Sequence, residues 1–372
     1  MKTATITWVK YNNYGTLLQC FALQQYLLKN GGNNKILNDC WIKEPYQYTI
    51  RYIFSTSARR FLSALFSPFG IHNFCEVHPQ TKKMCRDFVK NYLDVDYDVN
   101  SLDKVSQKYD CFVCGSDQIW NPGPQWYKRL NNSFYYAGFT SKKKIAYGPS
   151  LGVTNYPEKH RSELKHYLES FSSLSCRENE GCRILKEITG REVYKVVDPT
   201  LLLDENDWRK FLVGEKVRKE YVLCYFLSDN SWYADYVNCY LKNKNIRVVS
   251  FDCLRIRNIK YDSIIHAGPK EFLKYIDGAE FVFTDSFHAS LFSALLKTNF
   301  VTFERFAADD AKYAQNNRLK NLFSIIGVDD RFITADRMVD IDSLVPLDFV
   351  KIEMRLREAA KESKIYLKES LK

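Results

Sequence analysis

The chain has 372 residues, of which 45% are hydrophobic and 26% charged, a composition typical of a globular protein of two domains. The sequence lacks a run of 18 apolar residues and an N-terminal signal peptide, so we expect neither a membrane span nor export but a cytoplasmic protein. Its net charge of +10 comes without a dense Lys/Arg run, which favours a phosphorylated ligand or an anionic lipid surface over nucleic acid.

The first half of the chain alternates strand and helix patterns. Residues 3–9 (TATITWV) predict a strand, and residues 17–30 (LLQCFALQQYLLKN) predict a helix that Gly31 and Gly32 end. A strand in KILND follows, and this β-α-β order predicts a parallel sheet. Further strands are predicted in YDCFVCG, KKIAYGPS, FSSLSCRE and VYKVVDPT.

Residues 204–220 are charged and lack a strand pattern, so they are predicted to be a connector. Beyond them the alternation resumes with YVLCYFL, IRVVSF, FVFTD and FVTF as strands. The prediction is therefore an α/β fold of two Rossmann-like, doubly wound domains facing a cleft. We expect residues 1–203 to form the N-terminal domain and residues 221–345 the C-terminal domain. Residues 346–372 are predicted to form a helix that packs back on the N-terminal domain.

Eleven cysteines, an odd number, favour reduced thiols over a disulfide framework. Cys111 and Cys114 form a C-x-x-C within a strand pattern, but a second pair that would complete a zinc site does not occur. We therefore predict core thiols and no metal site.

Residues 54–70 (FSTSARRFLSALFSPFG) predict an amphipathic helix with Phe61, Leu62, Leu65 and Phe66 on one face, flanked by Arg59 and Arg60. A basic amphipathic helix of this kind can lie on an anionic membrane. The alternative is that the helix packs on its own domain or covers the cleft.

His288 follows the strand pattern FVFT and the polar residues Asp285 and Ser286, at the start of a predicted helix. In doubly wound sheets, ligands bind outside the carboxyl ends of the strands, which is where this histidine is expected. An anion beside the imidazole would keep it protonated and make it a general acid. A structural histidine is the alternative.

Other strand ends supply further candidates. Arg177 heads a helix, where its guanidinium could bind a carboxylate or phosphate in a bidentate manner or pair with Glu178 or Glu180. Asp117, after Gly115 and Ser116, could be a base or cap the next turn. The loop YNNYGT, with Asn12, Asn13, Tyr14 and Gly15, resembles a loop that binds anions through backbone N–H groups.

These motifs, taken together, resemble the polysaccharide pyruvyl transferases, in the branch that begins with YNNYGTLLQ. The matching landmarks lie in order over most of residues 5–327: YNNYGTLLQCFALQQYL, DCFVCGSDQIWNP, KIAYGPSLG, LSCREN, VVDPTLLL, FVFTDSFHASLFSALL and NNRLKNLFSIIG. The resemblance implies a fold similar to the GT-B glycosyltransferases. It also implies transfer of pyruvate from phosphoenolpyruvate onto two hydroxyls of one sugar, as a cyclic ketal, without a further cofactor.

In the family, the histidine after the late strand is the candidate acid, which falls on His288, and the arginine that binds the donor falls on Arg177. Other branches often carry an arginine two residues before the histidine, where this chain has Ser286. Ser286 is then a donor contact, and Arg305 and Arg318 are the candidates to meet the donor's charge. Asn12, Asn13, Tyr14, Gly15, Gly115 and Ser116 are assigned to the acceptor, and Asp117 is the candidate base.

The predicted acceptor is a sugar, with galactose as a candidate, in a capsular or exopolysaccharide precursor linked to polyprenyl diphosphate. A first alternative is a glycosyltransferase of similar fold that uses a nucleotide sugar and whose ribose would contact Asp285 or Glu304. A second alternative is a cleft that binds a polysaccharide precursor without turnover.

Overall fold

The computed structural model describes residues 1–38, 77–97, 101–122, 133–213, 220–307, 316–337 and 339–372. The described strands are β1 Lys2–Ile6, β2 Asn33–Leu37, β3 Val95–Asp96, β4 Cys111–Cys114, β5 Lys143–Ala146, β6 Ser175–Cys176, β7 Tyr194–Lys195, β8 Tyr221–Tyr225, β9 Arg247–Phe251, β10 Ser263–Ile265, β11 Phe281–Thr284, β12 Asn299–Phe303 and β13 Phe332–Ile333. The described helices are α1 Tyr14–Lys29, α2 Pro79–Tyr92, α3 Leu102–Lys108, α4 Glu158–Glu169, α5 Asn179–Thr189, α6 Glu205–Phe211, α7 Tyr233–Leu241, α8 Pro269–Asp277, α9 Phe287–Leu295, α10 Asn316–Ile326 and α11 Phe349–Leu371.

The N-terminal sheet is parallel, with strand order β3-β2-β1-β4-β5. Its central strands are buried apart from Lys2 at the start of β1, as expected for strands covered on both faces. The short parallel pair β6-β7 follows. An isolated β-bridge between Ile145 of β5 and Ser173, just before β6, connects this pair to the sheet. The predicted β-α-β start of this sheet is confirmed.

The C-terminal sheet is also parallel, with strand order β10-β9-β8-β11-β12-β13. In both sheets the order reverses beside the first strand, which creates the crevice where doubly wound folds bind ligands. The predicted α/β fold of two Rossmann-like units is confirmed.

The predicted connector, residues 204–220, contains the packed helix α6. Asp204 and Asp207 form a capping box at the start of α6, and this box satisfies the first free N–H groups of the helix. Trp208 is fully buried and donates from its indole to Thr200 O at 3.0 Å. The apolar pattern was hidden because one large ring, rather than a stripe, anchors this short helix.

Helix α11 contacts both halves of the molecule. The Tyr366 hydroxyl donates to Ala146 O at 2.7 Å, at the end of β5, and Ser363 Oγ accepts from Val197 N at 2.9 Å. On its other side, Arg355 donates to Ile326 O, at the end of α10, at 3.1 Å. The helix therefore joins the two sheets.

The start of α1 inserts into the C-terminal half. The Tyr14 ring stacks on Phe272 with centroids 4.8 Å apart, and it also contacts Phe251 and Tyr225. One apolar cluster runs from α1 and α2 to the helices of the C-terminal sheet. None of the described helices is long and apolar enough to cross a membrane. The predicted amphipathic helix of residues 54–70 lies outside the described residues.

Candidate active site

The candidate site centres on Asp198, which joins the two predicted functional residues. Arg177, just after β6, donates from Nη1 to Asp198 Oδ2 at 2.5 Å, and His288 Nε2 lies 3.6 Å from the same oxygen. The second distance is longer than a hydrogen bond, so the imidazole is a close neighbour of this carboxylate. The other oxygen, Oδ1, accepts from the Thr200 amide at 3.0 Å and its hydroxyl at 2.7 Å. Asp198 thus links Arg177 of one sheet to His288 of the other.

Asp198 is held as a carboxylate. Burial opposes its ionisation, but the contacts with His288 and Arg177 keep the pKa of Asp198 well below its usual range. Two hydrogen bonds from Thr200 add to this stabilisation. The charged form is therefore the one present at neutral pH.

A cavity of about 220 Å³ opens beside Asp198, between the two halves of the molecule. Its walls come from the N-terminal half, from α9 and α10, and from α11: Arg177, Glu178, Lys195, Val196, Val197, Asp198, Leu201, Phe287, Arg318, Asn321, Leu322, Ile325, Ala359 and Ser363. His288 does not line the cavity itself, but its imidazole contacts Asp198, which does.

The polar end of the cavity contains donors that lack acceptors. Among the described residues, Arg177 Nε and Nη2, Arg318 Nε and Asn321 Nδ2 are buried and donate to no hydrogen-bond acceptor. Buried donors without acceptors are destabilising, and native structures retain few of them. These groups are therefore well placed to bind an anion.

The two guanidinium groups influence each other. Burial lowers the pKa of Arg318, and the neighbouring Arg177 cation contributes to bringing it to about 10. Burial also opposes the charge on Arg177, but the carboxylates of Asp198, Glu178 and Asp117 raise its pKa overall. Glu178 itself accepts a short hydrogen bond from Ser150. The positive charge of Arg318 is thus only weakly balanced by its neighbours. An anionic ligand would balance it.

The structure places the other two predicted donor contacts outside the lining of this cavity. Ser286 caps α9 by accepting from Ala289 N at 3.4 Å, which is the role that serine commonly has at a helix start. Arg305 donates to Leu227 O at 3.3 Å and lies over the Phe306 ring. Arg305 nevertheless acts on Arg318 through its charge, which also lowers the pKa of Arg318.

Asp117 lies at the end of β4, against the start of α1. It accepts from Thr16 Oγ1 at 2.6 Å and from Gln118 N at 2.9 Å, and its backbone has a positive φ of 65°. The preceding Ser116 is buried and donates to Gly148 O at 2.6 Å. A Cβ at Gly115 would lie 2.0 Å from Tyr147 O, so this glycine permits close strand packing. Gly115 and Ser116 therefore have structural contacts.

The YNNYGT loop meets the C-terminal half at two points. Asn12 and Asn13 are exposed, and Asn13 caps α1 by accepting from Thr16 N at 3.1 Å. Tyr14, which we predicted as an acceptor contact, is buried among aromatic rings and packs there. Gly15 lies against the His288 ring, and a Cβ there would be 1.9 Å from Nδ1.

Two residues of this site had not been assigned a role from the sequence. Asp198 stands in VVDPT, directly after a strand pattern, which was a usable signal. Asn321 lies on α10 and gave no local signal, because its position depends on the packing of α10 on α11. Its Oδ1 accepts from Asn179 Nδ2 of the other half at 3.4 Å.

The fold is shared with sugar-processing enzymes. An alpha-glucosyltransferase solved with UDP and a 13-mer DNA is similar at 12% identity, with a TM-score of 0.50 and coverage of 100% of this chain and 98% of that chain. UDP-GlcNAc 2-epimerase from Methanocaldococcus jannaschii has 14% identity, a TM-score of 0.46 and coverages of 97% and 92%. The glycosyltransferase SnogD from Streptomyces nogalater has 12% identity, a TM-score of 0.45 and coverages of 99% and 98%. The likeness to the alpha-glucosyltransferase concerns the fold alone, which is of the GT-B type.

The comparison with protein families is more specific. No curated protein is significantly similar to this chain. The family model for polysaccharide pyruvyl transferase matches residues 13–305, which include Asp117, Arg177, Asp198 and His288. The match covers well over half of the chain, and it confirms the resemblance. The chain therefore belongs to the polysaccharide pyruvyl transferase family.

Proposed function

We propose that this protein transfers pyruvate from phosphoenolpyruvate onto two hydroxyls of a sugar, forming a cyclic ketal and releasing phosphate. The observation that carries the proposal is the set of buried donors without acceptors on Arg177, Arg318 and Asn321, beside the Asp198–His288 pair. Phosphoenolpyruvate offers a carboxylate and a phosphate, which are the groups that guanidinium forks bind best.

His288 is the general acid in this mechanism. It donates a proton to the methylene carbon of phosphoenolpyruvate, and the electron pair of the carbon–carbon double bond forms the new C–H bond. The adjacent carbon becomes cationic and accepts the first sugar hydroxyl. Asp198 stabilises the protonated imidazole, and Arg177 and Arg318 offset the negative charge of the donor.

The remaining steps close the ketal. Phosphate leaves with the electron pair of its C–O bond, and the second hydroxyl of the sugar adds to the same carbon. Of the two hydroxyl protons, one replaces the proton that His288 gave up and the other leaves with the phosphate. Asp117 is the proposed base, because its carboxylate lies at the start of α1 near Arg177. The exposed Asn12 and Asn13 are the proposed acceptor contacts in this loop.

The nucleotide-sugar alternative is less well supported by the contacts. Asp285, a candidate ribose ligand, is buried and accepts from Leu227 N at 2.7 Å and Ser228 N at 2.9 Å. Burial also raises its pKa. Asp285 therefore stabilises the loop after β8, and a ribose hydroxyl would have to displace these bonds.

The test is an incubation of the purified chain with phosphoenolpyruvate and a panel of sugar acceptors, galactosides included. We expect inorganic phosphate release that depends on the acceptor, together with an acceptor whose mass rises by one pyruvyl ketal. Consumption of a nucleotide sugar without phosphate release from phosphoenolpyruvate would instead identify a glycosyltransferase. Tight sugar binding without turnover of either donor would identify a binding protein.

The finer part of the proposal concerns where the acceptor is. We place the reaction in the cytoplasm, on a capsular or exopolysaccharide precursor linked to polyprenyl diphosphate at the inner face of the membrane. The net charge of +10 supports contact with an anionic leaflet, and residues 54–70 are the candidate contact from their sequence.

Flotation with anionic liposomes at low salt tests this contact by comparing the parent with Arg59→Glu/Arg60→Glu. We expect the parent to float and the variant to stay in the dense fraction, because charge reversal weakens binding to anionic lipid. Equal behaviour of the two proteins would remove this segment from the membrane model.

A further inference from the structure

A second cluster of ligating side chains lies away from Asp198. His78 precedes α2, Asp252 follows β9, and His266 precedes α8. One nitrogen of each histidine and one oxygen of the aspartate all lie within 4.8 Å of one another. The three residues come from distant parts of the sequence, so their spacing gave no signal, and we had predicted no metal site.

The three side chains contact one another. The His266 Nδ1 atom lies 3.2 Å from Asp252 Oδ2, and the rings of His78 and His266 stack with centroids 3.9 Å apart. Two imidazoles and a carboxylate this close together form a ligand set that one divalent metal ion could bind.

The ligand set indicates the class of metal. Two imidazoles and a carboxylate suit zinc and related divalent transition metals, whereas magnesium and calcium prefer oxygen ligands alone. Tetrahedral zinc with bonds of about 2.1 Å places its ligand atoms about 3.4 Å apart. The 3.2 Å between His266 Nδ1 and Asp252 Oδ2 is close to this separation. The His78 ring would complete the set by turning out of its stack on His266, because two parallel rings cannot both direct a lone pair at one ion.

His78 has a competing role in the absence of metal. Its Nδ1 accepts a hydrogen bond from Gln80 N at 3.2 Å and so caps α2. A single lone pair cannot serve both Gln80 N and a metal ion, so binding through Nδ1 would exchange this capping bond for a metal–nitrogen bond. Asparagine at this position would retain the cap, since its side-chain oxygen accepts from the same kind of backbone N–H.

The cluster lies where the two halves of the molecule meet. Helix α2 belongs to the N-terminal half and packs on α8 of the C-terminal half, and Gly268, at the start of α8, fits against Met84. A Cβ at Gly268 would be 2.9 Å from Met84 Cβ. A metal bound by His78 from one half and by Asp252 and His266 from the other would stabilise this arrangement of the halves.

We propose that His78, Asp252 and His266 form a binding site for a divalent transition metal of the zinc class that joins the two halves of the molecule. The site is distinct from the Asp198 centre and does not take part in pyruvyl transfer. Its role is structural, and a bound metal ion would stabilise the arrangement of the two halves described above.

The experiment titrates the untagged full chain, treated with EDTA and dialysed, with ZnCl₂ in a calorimeter and with CoCl₂ in a spectrophotometer. We expect one zinc ion per chain, a cobalt spectrum of nitrogen and oxygen ligation, and a rise in the thermal midpoint with zinc. In His78→Asn/His266→Asn we expect affinity to fall at least tenfold and the rise in midpoint to vanish. His160→Ala/His166→Ala, which removes two histidines of α4, is the matched control and should bind as the parent does.

Three outcomes would overturn the proposal. The first is a parent that binds less than one zinc ion per chain at micromolar concentrations. The second is a His78→Asn/His266→Asn variant that binds zinc as tightly as the control. The third is a cobalt spectrum with thiolate bands, which would place the ion on cysteines. Asp252→Asn keeps the shape of the side chain and should weaken binding by itself if its carboxylate is a ligand.

Discussion

Asp198 positions Arg177, and its contribution to the free energy of unfolding can be measured by removing its charge alone. Replacing it with asparagine retains the shape of the side chain and the hydrogen bond from Thr200 N. The positive charge of Arg177 would then be balanced by Glu178, which lies farther away, at 3.7 Å, and by Asp117. Breaking one side of a buried ion pair typically destabilises a protein by about 3–5 kcal/mol. We expect Asp198→Asn to lower the free energy of unfolding in this range at pH 7, measured by urea denaturation.

The pH dependence of this difference follows from the direction of the pKa shift. The pKa of Asp198 is lower in the folded protein than in the unfolded chain, so its ionisation stabilises the fold at every pH above the unfolded value of about 3.9. That contribution is lost as the pH falls below this value toward the folded pKa. The gap in unfolding free energy between the parent and Asp198→Asn should therefore narrow below about pH 4. A constant gap from pH 7 to pH 3 would contradict this account.

Replacing the guanidinium of Arg177 with an ammonium group tests whether Arg177 binds the donor. Lysine keeps the charge but cannot reproduce the fork that contacts Asp198 and leaves Nε and Nη2 for a ligand. We expect Arg177→Lys to weaken phosphoenolpyruvate binding at least tenfold, measured by calorimetry without acceptor. Arg183→Lys, on the exposed face of α5, is the matched control. Equal donor affinity in both variants would exclude Arg177 from the donor site.

At the scale of elements, the start of α1 is fitted to the start of α9. Gly15 lies against the His288 imidazole, and an alanine Cβ would require the ring to move. His288→Ala should lower turnover about 10²–10⁴-fold, the usual range for a positioned acid. We expect Gly15→Ala to lower turnover by displacing the same ring.

A double-mutant cycle tests whether these two losses share one cause. Once the imidazole is absent, alanine at position 15 has room, so Gly15→Ala/His288→Ala should turn over no more slowly than His288→Ala alone. Phosphate release measured for all four proteins completes the cycle. If the two losses add, Gly15 acts independently of His288.

The elements themselves were largely predictable, because each strand and helix carries its own pattern. The helix ended by Gly31 and the longer strands of both sheets were expected within a few residues of their observed bounds. The short strands β3, β10 and β13 were not assigned, because two or three residues are too few to show a period. Helix α2, Pro79–Tyr92, was also not assigned.

The site was predictable in position more than in detail. Strand ends indicated Arg177, Asp117 and His288, because parallel sheets gather such residues at one edge. Tyr14 was assigned to the acceptor from its polar loop, yet the ring is buried, since only the packing of α1 on α8 shows where it points. The same limitation concealed Asn321.

At the scale of the whole molecule, the two sheets are expected to unfold together. A continuous apolar cluster connects them, Tyr14 is inserted from one half into the other, and α11 hydrogen-bonds to both. We therefore predict a single calorimetric transition, although many two-domain proteins show two. Tyr14→Ala should lower the transition temperature or divide the transition in two, since it removes a large buried ring. Two separate transitions in the parent would show that the halves are independent.

Helix α11 has a consequence for the synthesis of the protein. Ala359 and Ser363 form part of the cavity wall, and Ser363 fixes the backbone next to Asp198. These residues follow all the other wall residues in chain order, so the cavity lacks one side until they have been synthesised. The wall is complete only after α11 has emerged from the exit tunnel, and a chain that terminated before residue 359 would lack Ala359, Ser363 and the hydrogen bond of Tyr366 to Ala146 O.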